Sequence, residues 1–252
     1  MIYKNKSKAA KETGISYLGS VNMTAKHSKA FKYNELTYSL YLSPANTSGY
    51  EVCAGRTKEC TIACLHESGL NRIDQKHNKI NKSRIAKTKL FFQHREYFVR
   101  WLVDEIESAK KKAKRLGYNF SIRLNNTSDL SPEIFTIGDS NILEIFSECQ
   151  FYEYSKIYRR IDLQNKYKNY DLTFSYSGHN LEECKKAINF DNTRIAVVFK
   201  DKLPEKFIDH DVISGDEYDM RYHDPKDVVI GLKFKQVRNK IEFNNNVFVV
   251  EA

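Results

Sequence analysis

The 252-residue chain has only 4 prolines, 10 glycines and 1 tryptophan, and 29% of its residues are charged, which excludes a collagenous or low-complexity polymer. Its 41% apolar content is enough to bury a core, so it is neither compositionally disordered nor dependent on covalent staples to fold. No apolar run approaches the roughly 20 residues that a membrane span needs. The opening MIYKNKSKAAKETG is basic without an apolar stretch behind it, so no secretory signal is expected. The expectation is a soluble protein of the cytoplasm with no membrane partner. No CxxC pair occurs either, although such pairs are the usual half-site of structural zinc.

One sign of charge is in excess: 41 Lys and Arg face 32 Asp and Glu, a formal +9. A basic surface attracts polyanions, which makes nucleic acid a candidate partner. Much of the excess, however, sits in a run that reads as a solvated helix face, Lys110, Lys111, Lys112, Lys114 and Arg115. The 16 tyrosines and 15 phenylalanines fall mostly in strand-like runs, where aromatic rings serve packing.

Residues 1–35 are polar and lysine-rich and read as an arm or cap. LTYSLYLSP, Leu36 to Pro44, reads as a buried strand ended by proline. A Gly-, Ser- and Thr-rich loop follows at 46–69. Arg72 to Gly117 reads as helical for most of its length, with Phe98, Trp101, Leu102, Ile106, Ala109 and Ala113 at spacings of three and four. Strands are then expected at 119–125, 151–155, 171–177, 194–200, 211–214 and 228–234. Short helices are expected at 141–148, after Asn180, and near Pro204 to Ile208. Strand–helix alternation at this rhythm argues for α/β architecture with parallel strands. Polar residues gather just after strand ends, as they do at the mouth of a barrel. The expected fold is therefore one partial or complete TIM-like (βα) barrel domain over 36–252.

Of the five cysteines, Cys53, Cys60 and Cys64 fall within twelve residues of that loop, while Cys149 and Cys184 sit in helix-like contexts and read as buried thiols. Three thiolates from one loop suit a 4Fe–4S cluster with one iron left open to a substrate, cofactor, water or fourth side chain. His66 is a candidate for that fourth position, or else a surface histidine. In RLNNTSD, Arg123 can point inward from its strand and grip a carboxylate or phosphate. Asn125 to Asp129 can equally cap a following helix, with Ser128 or Asp129 as N-cap. In SYSGHN, His179 is a helix-entry residue or a general acid/base. GDEYDMRYHDP packs Asp216, Glu217, Asp219, Arg221, His223 and Asp224 into nine residues, a solvated turn or a site in which Arg221 pairs with Asp216 or Asp219. Lys156 is a further inward-facing charge. The candidate catalytic residues are thus Arg123, Asp129, His179, Asp216 and Asp219, the candidate cofactor-binding residues Asn125, Lys156 and Arg221, and the candidate metal ligands Cys53, Cys60 and Cys64.

A three-cysteine loop directly after the first barrel strand resembles that of the radical S-adenosylmethionine enzymes. The resemblance implies their barrel, a 4Fe–4S cluster and S-adenosylmethionine as cofactor. The spacing here is Cx6CxxxC against the family's CxxxCxxC, and RLNNTSD stands where a Gly-Gly-Glu is expected. The blocks LSPANTSGYEVC, RIAKTKLFF, RLNNTSD, FSYSGHN and GDEYDMRYHDP, with the later VVIGL, resemble the bacteriophage gene product 88 family from about Leu40 to Leu232. That likeness implies a phage or prophage origin and, with it, the host cytoplasm. Three functions remain open at this point. One is an iron–sulfur enzyme binding a small molecule or nucleotide at the barrel mouth, another a nucleic-acid-associated phage protein with a structural metal site, and the third a zinc-dependent hydrolase.

Overall fold

The computed structural model describes residues 1–21, 30–64, 79–235 and 246–252. In chain order the elements are α1 (Lys6–Thr13), β1 (Gly19–Val21), β2 (Glu35–Leu40), α2 (Lys58–Ile62), α3 (Lys79–Gln93), α4 (Arg95–Leu116), β3 (Asn119–Arg123), β4 (Thr136–Ile137), β5 (Ser140–Asn141) and α5 (Ile142–Ile145). They continue with β6 (Gln150–Ser155), α6 (Asp162–Lys166), β7 (Tyr170–Ser175), α7 (Leu181–Phe190), β8 (Ile195–Phe199), β9 (Lys206–Phe207), β10 (His210–Ser214), β11 (Val229–Lys233) and β12 (Val249–Val250).

Ten strands form one mostly parallel sheet in the order β1-β2-β3-β6-β7-β8-β11-β10-β9, with β12 paired to the far end of β8. From β2 to β8 the strands lie in chain order and run parallel. Antiparallel β1 and β9 terminate the two sides. The sheet does not close into a barrel among the described residues. The cause is local: β10 lies outside β11 rather than before it, and each outer side is finished by a short reversed strand.

Alternation along the strands gives the sheet two unlike faces. Tyr38 and Leu40, Ile122, Phe151, Leu172 and Phe174, Ile195, Val197 and Phe199 point into the main core, where Trp101, Phe98 and Ile106 of α4 and Cys184, Ala187 and Ile188 of α7 are buried with them. The intervening residues, Thr37, Ser121, Arg123, Tyr152, Tyr154, Asp171 and Thr173, belong to the other, polar face. The long connection from β10 to β11 crosses that face: Asp219 pairs with Arg123, Tyr222 packs 5.5 Å from Tyr152, and Lys226 reaches Asp171 at 3.0 Å.

Most expected elements are present within a residue or two. The long helical stretch is divided at His94, whose φ of −142° leaves the helical region between α3 and α4. Gly117 ends α4 in the left-handed region at φ 73°, its N–H donating to Ala113 and Lys114. The helix expected near Pro204 to Ile208 is instead the hairpin β9–β10. Ile208 and Asp209 form its two-residue turn with φ of 47° and 68°, the twist that a tight hairpin requires.

The first 21 residues pack against α4. Tyr3 donates to Asp104 at 2.5 Å, and Glu105 accepts from the backbone of Leu18 (3.0 Å) and Gly19 (2.9 Å) and from Tyr38 Oη (2.7 Å). A Cβ on Gly19 would lie 2.5 Å from the Ser39 carbonyl, so only glycine fits this crossing. Replacing Glu105 by Ala strands these donors. It should cost about 1–3 kcal/mol in urea denaturation and speed amide exchange at Leu18 and Gly19. Unchanged exchange there would mean that pairing with β2 alone holds β1.

Candidate functional site

The C-terminal ends of β2, β3, β6 and β7 form one rim, and the loop after β2 lies across it. Its backbone turns at Ala45 (φ 52°) and Gly49 (φ 89°) and returns through Val52, which donates to Ala45 and accepts from Asp129 N–H at 2.7 Å. Cys53 follows, its sulfur 3.5 Å from Ala45 N. Thr57 caps α2 by accepting from Cys60 N–H at 3.1 Å, and its own hydroxyl donates to the Ser177 carbonyl after β7 at 3.1 Å. The loop therefore ties β2 to β7 while passing over β3 and β6. A Cβ on Gly55 would sit 3.0 Å from Lys156 Cβ, so the cysteine loop runs directly against the end of β6.

Cys53, Cys60 and Cys64 are half-buried free thiols, whereas Cys149 and Cys184 are buried. Burial pushes the thiols of Cys53, Cys149 and Cys184 up to about 12. Lys156 links the trio. Burial alone would lower its ammonium, but Cys60, Asp129, Cys53 and Cys64 outweigh that and hold it above the ordinary lysine value. The ammonium also lies 5.3 Å from the Phe248 ring. From α3, the Arg84 guanidinium is lowered by burial and pulled the other way by Tyr41 and Cys64. Cysteine sulfurs and basic side chains thus share the rim.

Asp129 caps no helix; a 3-10 turn at Pro132–Ile134 follows it instead. Its Oδ1 takes Arg160 at 2.5 Å and its Oδ2 accepts from Lys156 N–H at 3.0 Å. Asn125 closes its own loop, donating to the Leu130 carbonyl (2.7 Å) and accepting from Leu130 N–H (3.0 Å) and Ser128 (2.7 Å). His179 follows Gly178 (φ 96°) and is exposed, its Nε2 3.3 Å from Glu59. Asn246 donates to the Glu59 carbonyl at 2.9 Å, bringing the C-terminal segment against the same loop.

The rim therefore gathers Cys53, Cys60, Cys64, Asn125, Asp129, Lys156 and His179. Arg123, Asp219 and Arg221 lie instead on the polar face of the sheet. There Arg123 is ion-paired to Asp219, and Arg221 stands 3.0 Å from Asp224 rather than pairing with Asp216 or Asp219. Asp216 holds the Lys233 N–H at 3.1 Å beside β11. His66 lies outside the described residues. Among the described residues no three His, Cys, Asp or Glu side chains close around one point as a single metal ion requires. No described helix is long and apolar enough to cross a membrane.

Sequence reasoning missed Arg84, Arg160, Arg194, Tyr154 and Thr173. Arg194 carried a signal, since it is a charge opening the apolar strand expected at 194–200; Arg160 lay outside every expected element. Glu153 was missed as well. It is buried on the core face beside Asn125 and Tyr170, and burial raises its carboxyl to about 7. An acid whose folded value lies above its unfolded value stabilises below the latter, and that contribution is lost as pH rises through the former. Stability should therefore fall between about pH 4.5 and 7, by up to about 1.4 kcal/mol per unit. Glu153→Gln should flatten the fall in urea denaturation at graded pH, and an unchanged slope would assign it to another group.

A family model described as gene product 88 matches residues 2–246. No curated protein and no solved structure matches the chain.

Proposed function

The chain belongs to the gene product 88 family, and we propose that it is a bacteriophage iron–sulfur protein whose Cys53, Cys60 and Cys64 hold a 4Fe–4S cluster. The observation that carries this reading is the placement of three half-buried free thiols on one loop, which runs directly against the end of β6 at Lys156. Protonated thiols would leave Lys156 to share Asp129, which Arg160 already engages. Thiolates bound to a cluster supply negative charge where basic groups are gathered.

The donor set fits the group. The cysteines come from one loop, none is in a disulfide, and all are within reach of solvent. A cluster spreads its thiolates over several irons, so the ligands need not meet at one point as they do around zinc. When bound, the cluster would supply one-electron chemistry and an iron free of cysteine, the position that S-adenosylmethionine takes in the enzymes this loop resembles. Chain-ordered parallel strands with the main helices on one face favour a barrel segment over a doubly wound sheet. Lys156 would hold positive charge beside the cluster, and Asp129 with Arg160 would fix the β6 end that carries it.

Anaerobically prepared protein should be brown, absorb near about 400 nm and contain about four iron and four sulfide per chain. Cys53→Ala, Cys60→Ala or Cys64→Ala should each remove most of the iron, whereas Cys149→Ala and Cys184→Ala should leave it. Lys156→Met should retain the cluster and shift its reduction potential to a more negative value, because a nearby positive charge favours the reduced form. A colourless protein with one tightly bound zinc would falsify the iron–sulfur reading. Added S-adenosylmethionine should alter the electron paramagnetic resonance spectrum of the reduced cluster; an unaltered spectrum would remove that cofactor from the proposal.

A further inference from the structure

On the polar face of the sheet lie two fully buried guanidiniums, those of Arg194 and Arg221, and a third, that of Arg123, packed against Tyr154. Arg194 and Arg221 are 0% and 1% exposed, and Arg123 lies with its Cζ 4.9 Å from the Tyr154 ring centre. Each is held by an acidic or carbonyl partner through its outer nitrogens. Arg123 meets Asp219, Arg194 meets Asp171, and Arg221 meets the Tyr218 carbonyl and stands 3.0 Å from Asp224. The inner nitrogen, Nε, of all three is buried without a hydrogen-bond partner, as are Tyr154 Oη and Thr173 Oγ1. Tyr154 and Thr173 face each other in register on β6 and β7. Thr173 is 0% exposed, and the charges that act on Tyr154 are Arg221, Arg123, Asp224 and Arg194.

We propose that Arg123, Arg194, Arg221, Tyr154 and Thr173 form a binding site for a phosphate group. Buried donors are ordinarily satisfied, and a concentration of unsatisfied ones in a single cluster marks a missing acceptor. Three of the five groups can only donate, and the two hydroxyls can donate as well. A phosphate offers several acceptor oxygens, arranged tetrahedrally, to donors that arrive from different directions. A carboxylate presents fewer oxygens, all in one plane, to groups that come from three strands, the residue before β8 and the crossing segment. Asp171, Asp219 and Asp224 fix the orientation of the arginines; Asp224 Oδ2, also without a hydrogen bond, is the acceptor nearest in kind to the incoming group and limits the charge it can carry. Tyr154 is partly exposed although its hydroxyl is buried. The site would therefore take the phosphate of a nucleotide-like or other phosphorylated molecule, and it stands whether or not a cluster is bound.

The test uses the full chain with inorganic phosphate, followed by calorimetric titration and thermal unfolding against sodium chloride at equal ionic strength. Saturable binding is expected, with a matching rise in melting temperature and a weaker response to acetate. The double variant Tyr154→Phe, Thr173→Val removes two donors and leaves every ion pair, and it should weaken phosphate by about tenfold or more. A protein in which Cys53, Cys60 and Cys64 are all serine should bind phosphate as before, which separates this inference from the fate of the cluster. No saturable binding, equal binding of acetate, or undiminished affinity in the double variant would each overturn it. The last result would place phosphate elsewhere on the basic surface, with water filling the arginine cluster.

Discussion

A parallel sheet covered by its main helices on one side must do something with the other side, and this constraint organises the molecule. On the helix side the strands supply Ile122, Phe151, Leu172, Phe174 and Val197 to a conventional apolar core. On the opposite side they supply Arg123, Tyr152, Tyr154, Asp171 and Thr173, which cannot be left dry and unpaired. The β10–β11 connection supplies the answer by carrying Asp219, Arg221, Asp224 and Lys226 across that face. Its ion pairs keep the buried charges matched; removal of a single partner from such a pair commonly costs about 3–5 kcal/mol. The swapped order of β10 and β11 belongs to the same arrangement, since the chain must leave the top of one strand and re-enter at the foot of its neighbour after crossing the polar face.

The apolar face was legible in the sequence because burial on strands and helices leaves a periodic trace. The α4 stripe, Gly117 as its stop and the strand runs at 171–177 and 194–200 each carry such a trace, and each lies within a residue or two of its element. β10 was legible as the strand expected at 211–214, but β9 and the hairpin turn were not, because Ile208 and Asp209 are poor advertisements for a turn with positive φ; only the paired strands hold them there. The 216–224 segment was legible as polar and dense but not as interior. Its partners include Arg123, Glu35 and Arg194, distant in the chain, and nothing in a local window distinguishes an acidic turn in water from one that crosses a sheet.

The rim was legible for a different reason. Residues that follow parallel strands converge at one end of the sheet whatever their identity, so Cys53, Asp129, Lys156 and His179 could be placed together from topology alone. Their contacts could not. Asp129 looked like a helix cap and instead clamps Arg160 and the Lys156 backbone. Asn125 looked available to a ligand and instead uses both ends of its amide on its own loop. Short polar residues beside a strand end serve caps, loop closures and ligands with the same chemistry, and only the tertiary neighbours decide among them.

Charge at the rim links folding to the state of the thiols. A protonated Cys53 with its proton held to about pH 12 is a neutral hydrophobe, and it leaves Lys156 to be balanced by an Asp129 already shared with Arg160. Ionising Cys53 in that half-buried setting is opposed by desolvation, which is why its thiol is pushed upward. The proposed ligation would meet both demands together, because a coordinated thiolate would give its proton to solvent and spread its charge over the ligated centre beside Lys156. Proton release and ligand binding would then be one coupled equilibrium. In that equilibrium Gly55 and Thr57 matter as much as the cysteines, because the first lets the loop lie against Lys156 and the second fastens it to the end of β7.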